Sequence, residues 1–232
     1  SEALENHGID ASGIFVPARF AKDAAFEAID AGIRLLVILT EGIPIHDVMR
    51  IKTFAKKKGT RVIGPNTPGI VTVEQCKIGF LDTHHVMSGN IGVISRSGTL
   101  TTEITASLVK EGVGQSTIVG IGGDQVVGST FKDILALFEQ DEETKGIVIV
   151  GEIGGTMEEE AAEYVREEMT KPVVAWIAGR NAPEGKRLGH AGAIVEGEMG
   201  TAESKIKALS QANISIAQAP WEVGKLMREV IS

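Results

Sequence analysis

Short aliphatic runs alternate with longer amphipathic stretches along nearly the whole chain. The aliphatic runs show no regular polar alternation, which is typical of parallel strands that are covered on both faces. They predict eight strands, at residues 13–16, 35–39, 61–63, 91–94, 116–121, 147–150, 173–177 and 214–216. Helical periodicity between them predicts seven helices, at residues 21–30, 45–57, 100–110, 131–138, 157–168, 202–212 and 221–230. This order favours an α/β fold with doubly wound parallel sheets.

The alternation breaks at DTHHVMSGNIG, residues 82–92, where no helix follows the preceding KIGF segment. We therefore place a domain boundary near residue 87, which divides the chain into domains 1–87 and 88–232. The first domain carries only three strands of the βα type. The opening residues SEALENHGIDAS also look like the end of a helix. Both features lead us to expect that the first domain lacks its opening βα unit.

Composition and charge narrow the classes of partner. The net charge is −8, which argues against nucleic acid and against an anionic membrane surface. No apolar run approaches the length of about 20 residues that a membrane span requires, and no signal peptide is visible. The single cysteine, Cys76, cannot form an internal disulfide and fits a reducing compartment. We expect a cytoplasmic protein, or a mitochondrial matrix protein if its source is eukaryotic.

The segment SRSGTLTTEI follows the predicted strand at 91–94. Ser97 suits the N-cap of the next helix, and Gly98 and Thr99 would then present free backbone amides. Such a helix end attracts anions, phosphate in particular, although a capped helix without a ligand explains the pattern equally well. The flanking glycines of a serine hydrolase motif, G-x-S-x-G, are missing around this serine, so we reject that class.

Glu152 lies directly after the buried strand at 147–150, in the segment GEIGG. Its glycine neighbours leave the carboxylate uncrowded at the edge of the sheet where ligands bind. A carboxylate in this place would orient an imidazole by accepting its Nδ1 proton, whereas the alternative is an ordinary turn glutamate. The three glutamates that follow, at 158–160, are interpreted as solvated charges favoured by the N-terminus of a helix.

His190 lies in GKRLGHAGAI, within a long loop after the strand at 173–177. Long loops in compact domains tend to be functional, and a structural histidine needs packing that small neighbours do not provide. We predict no metal site, because no second ligand stands at a suitable spacing and His84 and His85 are adjacent in the interdomain turn. Nucleophilic catalysis remains, with His190 as a carrier of phosphate that moves on an uncrowded loop.

Stiff, proline-bearing turns follow the three strands of the first domain, in VPARF, LTEGIP and GPNTPG. By themselves they are weak evidence of a nucleotide-shaped cleft. The chain contains neither a Walker A motif nor a complete G-x-G-x-x-G.

Seven segments in this order and spacing resemble the α subunits of the succinyl-CoA synthetase family: VPARF, TEGIP, GPNTPG, SRSGTL, GIGGD, GEIGG and GKRLGHAGAI. The resemblance implies a Rossmann-type coenzyme A-binding domain followed by a flavodoxin-like domain with a phosphohistidine. It also implies an ATP-grasp β subunit that holds the nucleotide and Mg²⁺, in an αβ or α2β2 assembly of the tricarboxylic acid cycle. Whether ATP or GTP is used stays open, since that pocket lies on the β subunit. In such enzymes phosphate passes from the nucleotide to histidine and then to a carboxylate, and the CoA thiol displaces it.

The resemblance implies a role for each matching residue. His190 would be the phosphohistidine and Glu152 its hydrogen-bonding partner. Ser97, Gly98 and Thr99 would hold the phosphoryl group. The residues that would contact CoA are Pro17, Leu39, Thr40, Glu41 and Asn66.

The chain departs from the family pattern in three places. The family's opening strand, its Gly-rich phosphate loop and a CoA-binding lysine would precede Ser1. Thr102 replaces a tyrosine near the carboxylic substrate. This replacement leaves the identity of the acid open between succinate and malate, citrate or another acid. Thr67 replaces a cysteine, with little expected consequence.

The alternative is a protein of a different class, a CoA- or nucleotide-binding module without catalysis. Such a module has no need for a carrier histidine such as His190.

Overall fold

The computed structural model describes residues 6–181, 189–195 and 200–232. Residues 1–5 of the opening segment, where the sequence predicts the end of a helix, lie outside these ranges. The GKRL part of the histidine loop, residues 185–188, also lies outside them. The strands are β1 Ala11–Ile14, β2 Leu35–Ile38, β3 Arg61–Ile63, β4 Gly69–Thr72, β5 Cys76–Gly79, β6 Ser88–Ser95, β7 Gln115–Gly120, β8 Gly146–Glu152, β9 Val173–Ala178 and β10 Ser215–Ile216. The helices are α1 Ala18–Asp30, α2 Ile45–Lys58, α3 Gly98–Lys110, α4 Phe131–Gln140, α5 Met157–Glu168, α6 Ala202–Gln211 and α7 Val223–Ile231. The predicted α/β fold with parallel sheets is confirmed.

The first sheet consists of β1, β2 and β3 in that order, all parallel. Successive side chains of a strand point to opposite faces of the sheet, and the side chains of the central strand are buried on both faces. Leu36 and Ile38 pack with the buried residues of α1 and α2. Val37, on the opposite face, joins a core that also contains Phe131 of the second half of the chain. The two halves therefore share apolar packing.

The second sheet has seven strands in the order β10-β9-β8-β6-β7-β4-β5. Five of them are parallel, and helices cover both faces. On one face Ile149 packs in the core that contains residues of α4, α5 and α6. On the other face Val148 packs with Leu108 of α3 and Met227 of α7. This is a doubly wound arrangement, as the uninterrupted aliphatic runs predicted.

The hairpin of β4 and β5 is absent from the sequence prediction. These two strands are antiparallel to each other, and β4 is antiparallel to β7. They are short and partly exposed, and Gly69 and Gly79 approach each other so closely that no side chain fits between them. A pattern search for aliphatic runs does not detect such strands. The hairpin precedes residue 87 in sequence, yet it forms hydrogen bonds with the second sheet. The domain boundary at residue 87 stays a prediction.

Parallel strands bring their carboxyl ends to one edge of a sheet, where ligands bind in folds of this type. Here β6, β7 and β8 lie next to one another and end at Ser95, Gly120 and Glu152. The segments that follow these three strands therefore meet. Within the described residues, none of the helices has the length and apolar character needed to cross a membrane.

Candidate active site

His190 and Glu152 form a direct contact, although they are 38 positions apart in sequence. Glu152 is the last residue of β8 and is only 5% exposed. Its Oε2 lies 2.8 Å from Nδ1 of His190, whose side chain is 28% exposed. A carboxylate at this distance accepts the Nδ1 proton and leaves a lone pair on Nε2. The pair thus orients an imidazole whose Nε2 is a free nucleophile when the ring is neutral.

Glycines hold the described part of the histidine loop by close approach. Gly123, just after β7, lies directly against the imidazole, because a Cβ built on it would be 2.4 Å from Cγ of His190. Gly192 donates its N–H to the Gly123 carbonyl at 3.0 Å. Gly154 has a φ of +93° and packs against the Gly192 carbonyl so tightly that an added Cβ would lie 2.0 Å away. The small residues around His190 therefore seat the ring by close packing. The expectation of an uncrowded loop is wrong at His190 and Gly192, while movement of the histidine during catalysis stays a prediction.

Gly123→Ala tests this seating. The added methyl group would overlap the ring, so His190 has to leave its position and its contact with Glu152 is disturbed. A shift of about 1 Å at a catalytic group costs on the order of 100-fold in rate, and we expect a loss of that size in phosphorylation of the histidine. Gly8→Ala is the control, because a Cβ there meets nothing within 4 Å. Equal phosphorylation rates in both variants would contradict the seating.

The predicted anion site lies at the N-terminus of α3. Ser97 caps this helix, and its side chain accepts the N–H of Leu100 at 3.4 Å. Gly98 and Thr99 form the first turn, beside a cavity of about 730 Å³. Five predicted site residues line this cavity together with His190, namely Asn66, Ser97, Gly98, Thr99 and Thr102. The structure thus brings the helix end and the histidine to one space.

The other predicted CoA-contacting residues lie at the ends of β1 and β2. Pro17 precedes α1, and Leu39, Thr40 and Glu41 follow β2. The Thr40 hydroxyl donates to the Val16 carbonyl at 2.7 Å, which ties these two strand ends together. None of these four residues is among those that line the 730 Å³ cavity. These four residues form a separate group at the edge of the first sheet, next to this cavity.

Asn66 connects this edge to the histidine site. Its backbone N–H donates to the Thr40 carbonyl at 3.0 Å, and its own carbonyl accepts the N–H of Gly123 at 3.3 Å. Its side-chain amide donates to Asp124 Oδ1 at 3.0 Å. Asn66 adopts a positive φ of 54°, a conformation that asparagine tolerates better than most residues. The turn that contains Asn66 thus connects the end of the first sheet to Gly123, against which His190 packs.

Three buried charged residues escaped sequence reasoning: Arg96, Glu158 and Lys205. Arg96 Nε lies 3.3 Å from Glu152 Oε1, and Arg96 Nη1 lies 3.4 Å from Glu158 Oε1. Lys205 contacts the other oxygen of Glu158 at 2.5 Å. The interpretation of Glu158 as a solvated charge is wrong, because it is 0% exposed and its Oε1 accepts the Glu152 N–H at 3.1 Å. Its position in a run of three glutamates concealed this, and Lys205 gave no signal in an ordinary amphipathic helix.

The electrostatics of the pair favour a charged histidine. The hydrogen bond to Glu152 raises the pKa of His190 above its usual 6.5, although burial of the ring opposes this. The nearby charge of Arg96 also opposes the rise, whereas that of Glu41 adds to it. Burial raises the pKa of Asp124, against the hydrogen bond from Asn66. Among the residues that the structure describes, no group of three His, Cys, Asp or Glu side chains is placed to hold a metal ion.

Comparison with known families agrees with this geometry. Residues 94–215 match the family described as CoA-ligase, and residues 1–42 match the CoA binding domain. The first match contains Glu152, His190 and the N-terminus of α3. The fold and the family match over just more than half of the chain are those of a CoA ligase.

Individual relatives are more specific. A protein of Archaeoglobus fulgidus named succinate–CoA ligase [ADP-forming] subunit alpha 2 is 53% identical over 230 residues, which cover 99% of this chain and 80% of the relative. The succinate–CoA ligase [ADP-forming] subunit alpha of Staphylococcus aureus is 49% identical over 228 residues, covering 98% of this chain and 76% of the relative. The chain therefore belongs to the family of succinate–CoA ligase α subunits.

A solved structure shares the fold over almost the whole chain. ATP citrate lyase from Methanothrix soehngenii, in complex with citrate and coenzyme A, superposes with a TM-score of 0.91 at 30% identity. The match covers 99% of this chain and 39% of that much longer chain. The protein thus corresponds to one part of that enzyme.

Proposed function

We propose that this chain is the α subunit of an ADP-forming succinate–CoA ligase and that His190 carries the phosphoryl group. The observation that supports this most strongly is the 2.8 Å contact between Glu152 Oε2 and His190 Nδ1, beside the N-terminus of α3. A sensor or a simple CoA-binding module has no need for an oriented nucleophile next to an anion site. The overall reaction converts succinate, CoA and ATP into succinyl-CoA, ADP and phosphate.

In the first step, Nε2 of His190 attacks the γ-phosphorus of the nucleotide. An N–P bond forms, the bond from phosphorus to the bridging oxygen breaks, and ADP leaves. The Nδ1 proton stays in the hydrogen bond to Glu152, whose negative charge stabilises the imidazole as it becomes positive. Glu152 fixes the ring orientation because it is buried at the end of a strand.

In the second step, a carboxylate oxygen of succinate attacks the phosphorus and the N–P bond breaks, which gives succinyl phosphate and free His190. The CoA thiolate then attacks the acyl carbon, and inorganic phosphate leaves. The amides of Gly98 and Thr99 and the dipole of α3 are suited to stabilise the phosphoryl oxygens during these transfers. Ser97 keeps that helix end in place by capping it.

Coenzyme A is proposed to bind at the ends of the first sheet. The proposed contacts are Pro17, Leu39, Thr40, Glu41 and Asn66. The tie between Thr40 and Val16 and the link from Asn66 to Gly123 support this, because they join the edge to the histidine site. We also propose that residues 1–87 and 88–232 act as the CoA-binding and ligase domains.

The nucleotide and its Mg²⁺ are proposed to bind to a partner, an ATP-grasp β subunit, in an αβ or α2β2 assembly. The names of the relatives as α subunits support a partner subunit. The chain itself has no Walker A sequence. A cytoplasmic location, or the mitochondrial matrix in a eukaryote, is proposed on the same family grounds.

The rate of histidine phosphorylation is expected to rise with pH through a pKa above 6.5. Only the neutral imidazole has the Nε2 lone pair, and Glu152 raises the pKa of His190 above that value. At pH 6.5 more than half of the imidazoles are therefore protonated and unreactive. Single-turnover phosphorylation of the complex, measured between about pH 5.5 and 8.5, checks this. An acid limb centred at or below 6.5 would be inconsistent with the hydrogen bond.

The choice of acid depends on the cavity wall at Thr102. A threonine is smaller than the family's tyrosine and leaves more space. The structural similarity to an ATP citrate lyase that binds citrate makes a larger acid the second candidate. We expect CoA-dependent turnover with succinate to exceed that with malate or citrate. Faster turnover with citrate would assign the chain to a related ligase, and no turnover with any acid would refute the proposed function.

A further inference from the structure

Arg96 lies beneath the histidine site, buried in the wall of the cavity that His190 also lines. It directly follows β6 and is 2% exposed. Its Nε is 3.3 Å from Glu152 Oε1, at ion-pair distance but outside hydrogen-bond geometry, so both atoms are buried without a hydrogen-bond partner. Gly192 leaves room for the guanidinium, since a Cβ there would lie 2.5 Å from Nη2. The cation thus sits below the carboxylate that orients His190.

A second layer of charge holds Arg96. Its Nη1 donates to the Gly154 carbonyl at 3.2 Å and reaches Glu158 Oε1 at 3.4 Å. Lys205, which is 0% exposed, donates to Glu158, to Glu159 at 3.0 Å and to the Gly155 carbonyl at 2.9 Å. Opposite charges therefore alternate from Glu152 to Lys205. Burying four charges is costly, and a fold that needed only stability could use apolar residues instead.

We propose that Arg96 is a positioning residue for the phosphate-carrying histidine, which holds Glu152 in place and offsets part of its charge, while Glu158 and Lys205 hold Arg96. This proposal rests on the proposed function of His190. Without Arg96, the charge of Glu152 would hold the proton of His190 more firmly, because the charge of Arg96 opposes the rise in the pKa of the histidine. A fixed cation behind the carboxylate weakens that hold without breaking the hydrogen bond.

Within the described residues, four charged groups act on His190 or are acted on by it. Asp82, His85 and Glu103 line the same cavity as His190. Glu152 at the end of β8 and Glu41 after β2 raise the pKa of the histidine. Arg96 after β6 lowers it. Asp124, after β7, is near enough that the histidine lowers the pKa of this aspartate. Among these four groups in the described part of the chain Arg96 is the one cation, so its removal and the removal of Glu152 are expected to have opposite effects on the protonation of His190.

NMR titration of histidine ¹³Cε1 signals in the full chain tests the proposal. The chain has five histidines, and His190→Asn identifies the relevant signal. We expect Arg96→Gln, which keeps hydrogen-bonding capacity but loses the charge, to raise the pKa of His190. Arg96→Lys, which keeps the charge, is expected to restore the titration of the unaltered protein. Arg166→Gln, at an exposed arginine of α5, serves as the control. An unchanged or lowered pKa in Arg96→Gln would overturn the proposal.

Lys205→Gln provides a second test if Arg96→Gln fails to fold. It frees Glu158 to draw the guanidinium away from Glu152, so the pKa of His190 is again expected to rise. Lys207→Gln, at an exposed position of the same helix, is expected to change nothing. An unchanged pKa in Lys205→Gln would show that the charged layer does not act on the histidine.

Phosphorylation rates separate this proposal from the function on which it rests. In the complex with the β subunit at pH 6.5, we expect Arg96→Gln to be at least about twofold slower than the unaltered protein, because fewer imidazoles are neutral. A chain whose histidine titrates as expected but is never phosphorylated would refute the proposed function alone. If the chain is phosphorylated but Arg96→Gln changes neither the pKa of His190 nor the acid limb of the phosphorylation rate, only the role of Arg96 is refuted.

Discussion

Replacing His190 with asparagine is expected to abolish the formation of succinyl-CoA, with a loss of about 10⁴-fold or more. Asparagine can still donate a hydrogen bond to Glu152, but it has no nucleophilic nitrogen to accept phosphate. The loss therefore appears in the turnover rate, while the affinity for CoA changes little. Steady-state assays of the complex over a range of CoA concentrations measure both quantities.

His46→Asn is the matched control, because this histidine lies exposed on α2, away from the cavity. It should leave turnover unchanged. Turnover by His190→Asn within a few fold of the unaltered protein would show that phosphate reaches the acid by another route.

Glu152→Gln is expected to produce the second largest loss, about 100-fold or more in the maximal rate of phosphorylation. The glutamine oxygen can still accept the Nδ1 proton, but the charge that stabilises the positive imidazole is gone. The same change removes the main cause of the raised pKa of His190, so the acid limb moves to lower pH. A slower enzyme with a lower acid limb is the combination that identifies this role.

Glu163→Gln, at an exposed position of α5, is the control for Glu152→Gln. It should alter neither the rate nor the pH profile. If Glu152→Gln lowered the rate but left the acid limb in place, its effect would come from a change in packing and not from the charge next to the imidazole.

The strand-end rule explains why much of the site was predictable. Glu152 ends β8 and Ser97 follows β6, and these neighbouring parallel strands deliver both residues to one edge of the second sheet. Asn66 follows β3, at the corresponding end of a strand of the first sheet. His190 stood out because it was the only imidazole in a glycine-rich loop. The contact between Glu152 and His190 was predicted and lies within hydrogen-bond distance in the structure. Their catalytic roles stay predictions.

The features that escaped prediction depend on packing in three dimensions. Glu158 and Lys205 sit in amphipathic helices whose polar residues look solvated, and only the packing of α5 against α6 buries them. Gly123 lies in the segment GIGGD, and its missing side chain leaves the space that the imidazole fills. Close approaches of this kind join segments that are distant in sequence, so a linear pattern does not reveal them.

The negative net charge of −8 does not conflict with a site for phosphate. The groups suited to bind it are backbone amides at the start of α3, whose effect is strong only within the first turn of a helix. Arg96 supplies a buried positive charge nearby, while the excess carboxylates are mostly exposed and screened by solvent. Local geometry, rather than overall charge, therefore decides which ligand the site accepts.

The most direct measurement of the central claim is to map the phosphate and follow its transfer. The chain and its β subunit are incubated with ATP that is labelled at the γ-phosphate, and the labelled residue is located by mass spectrometry. We expect acid-labile label on His190, which succinate and CoA together release as inorganic phosphate, with one succinyl-CoA formed per label lost. Absence of label on His190, or label that stays in place when succinate and CoA are added, would contradict it.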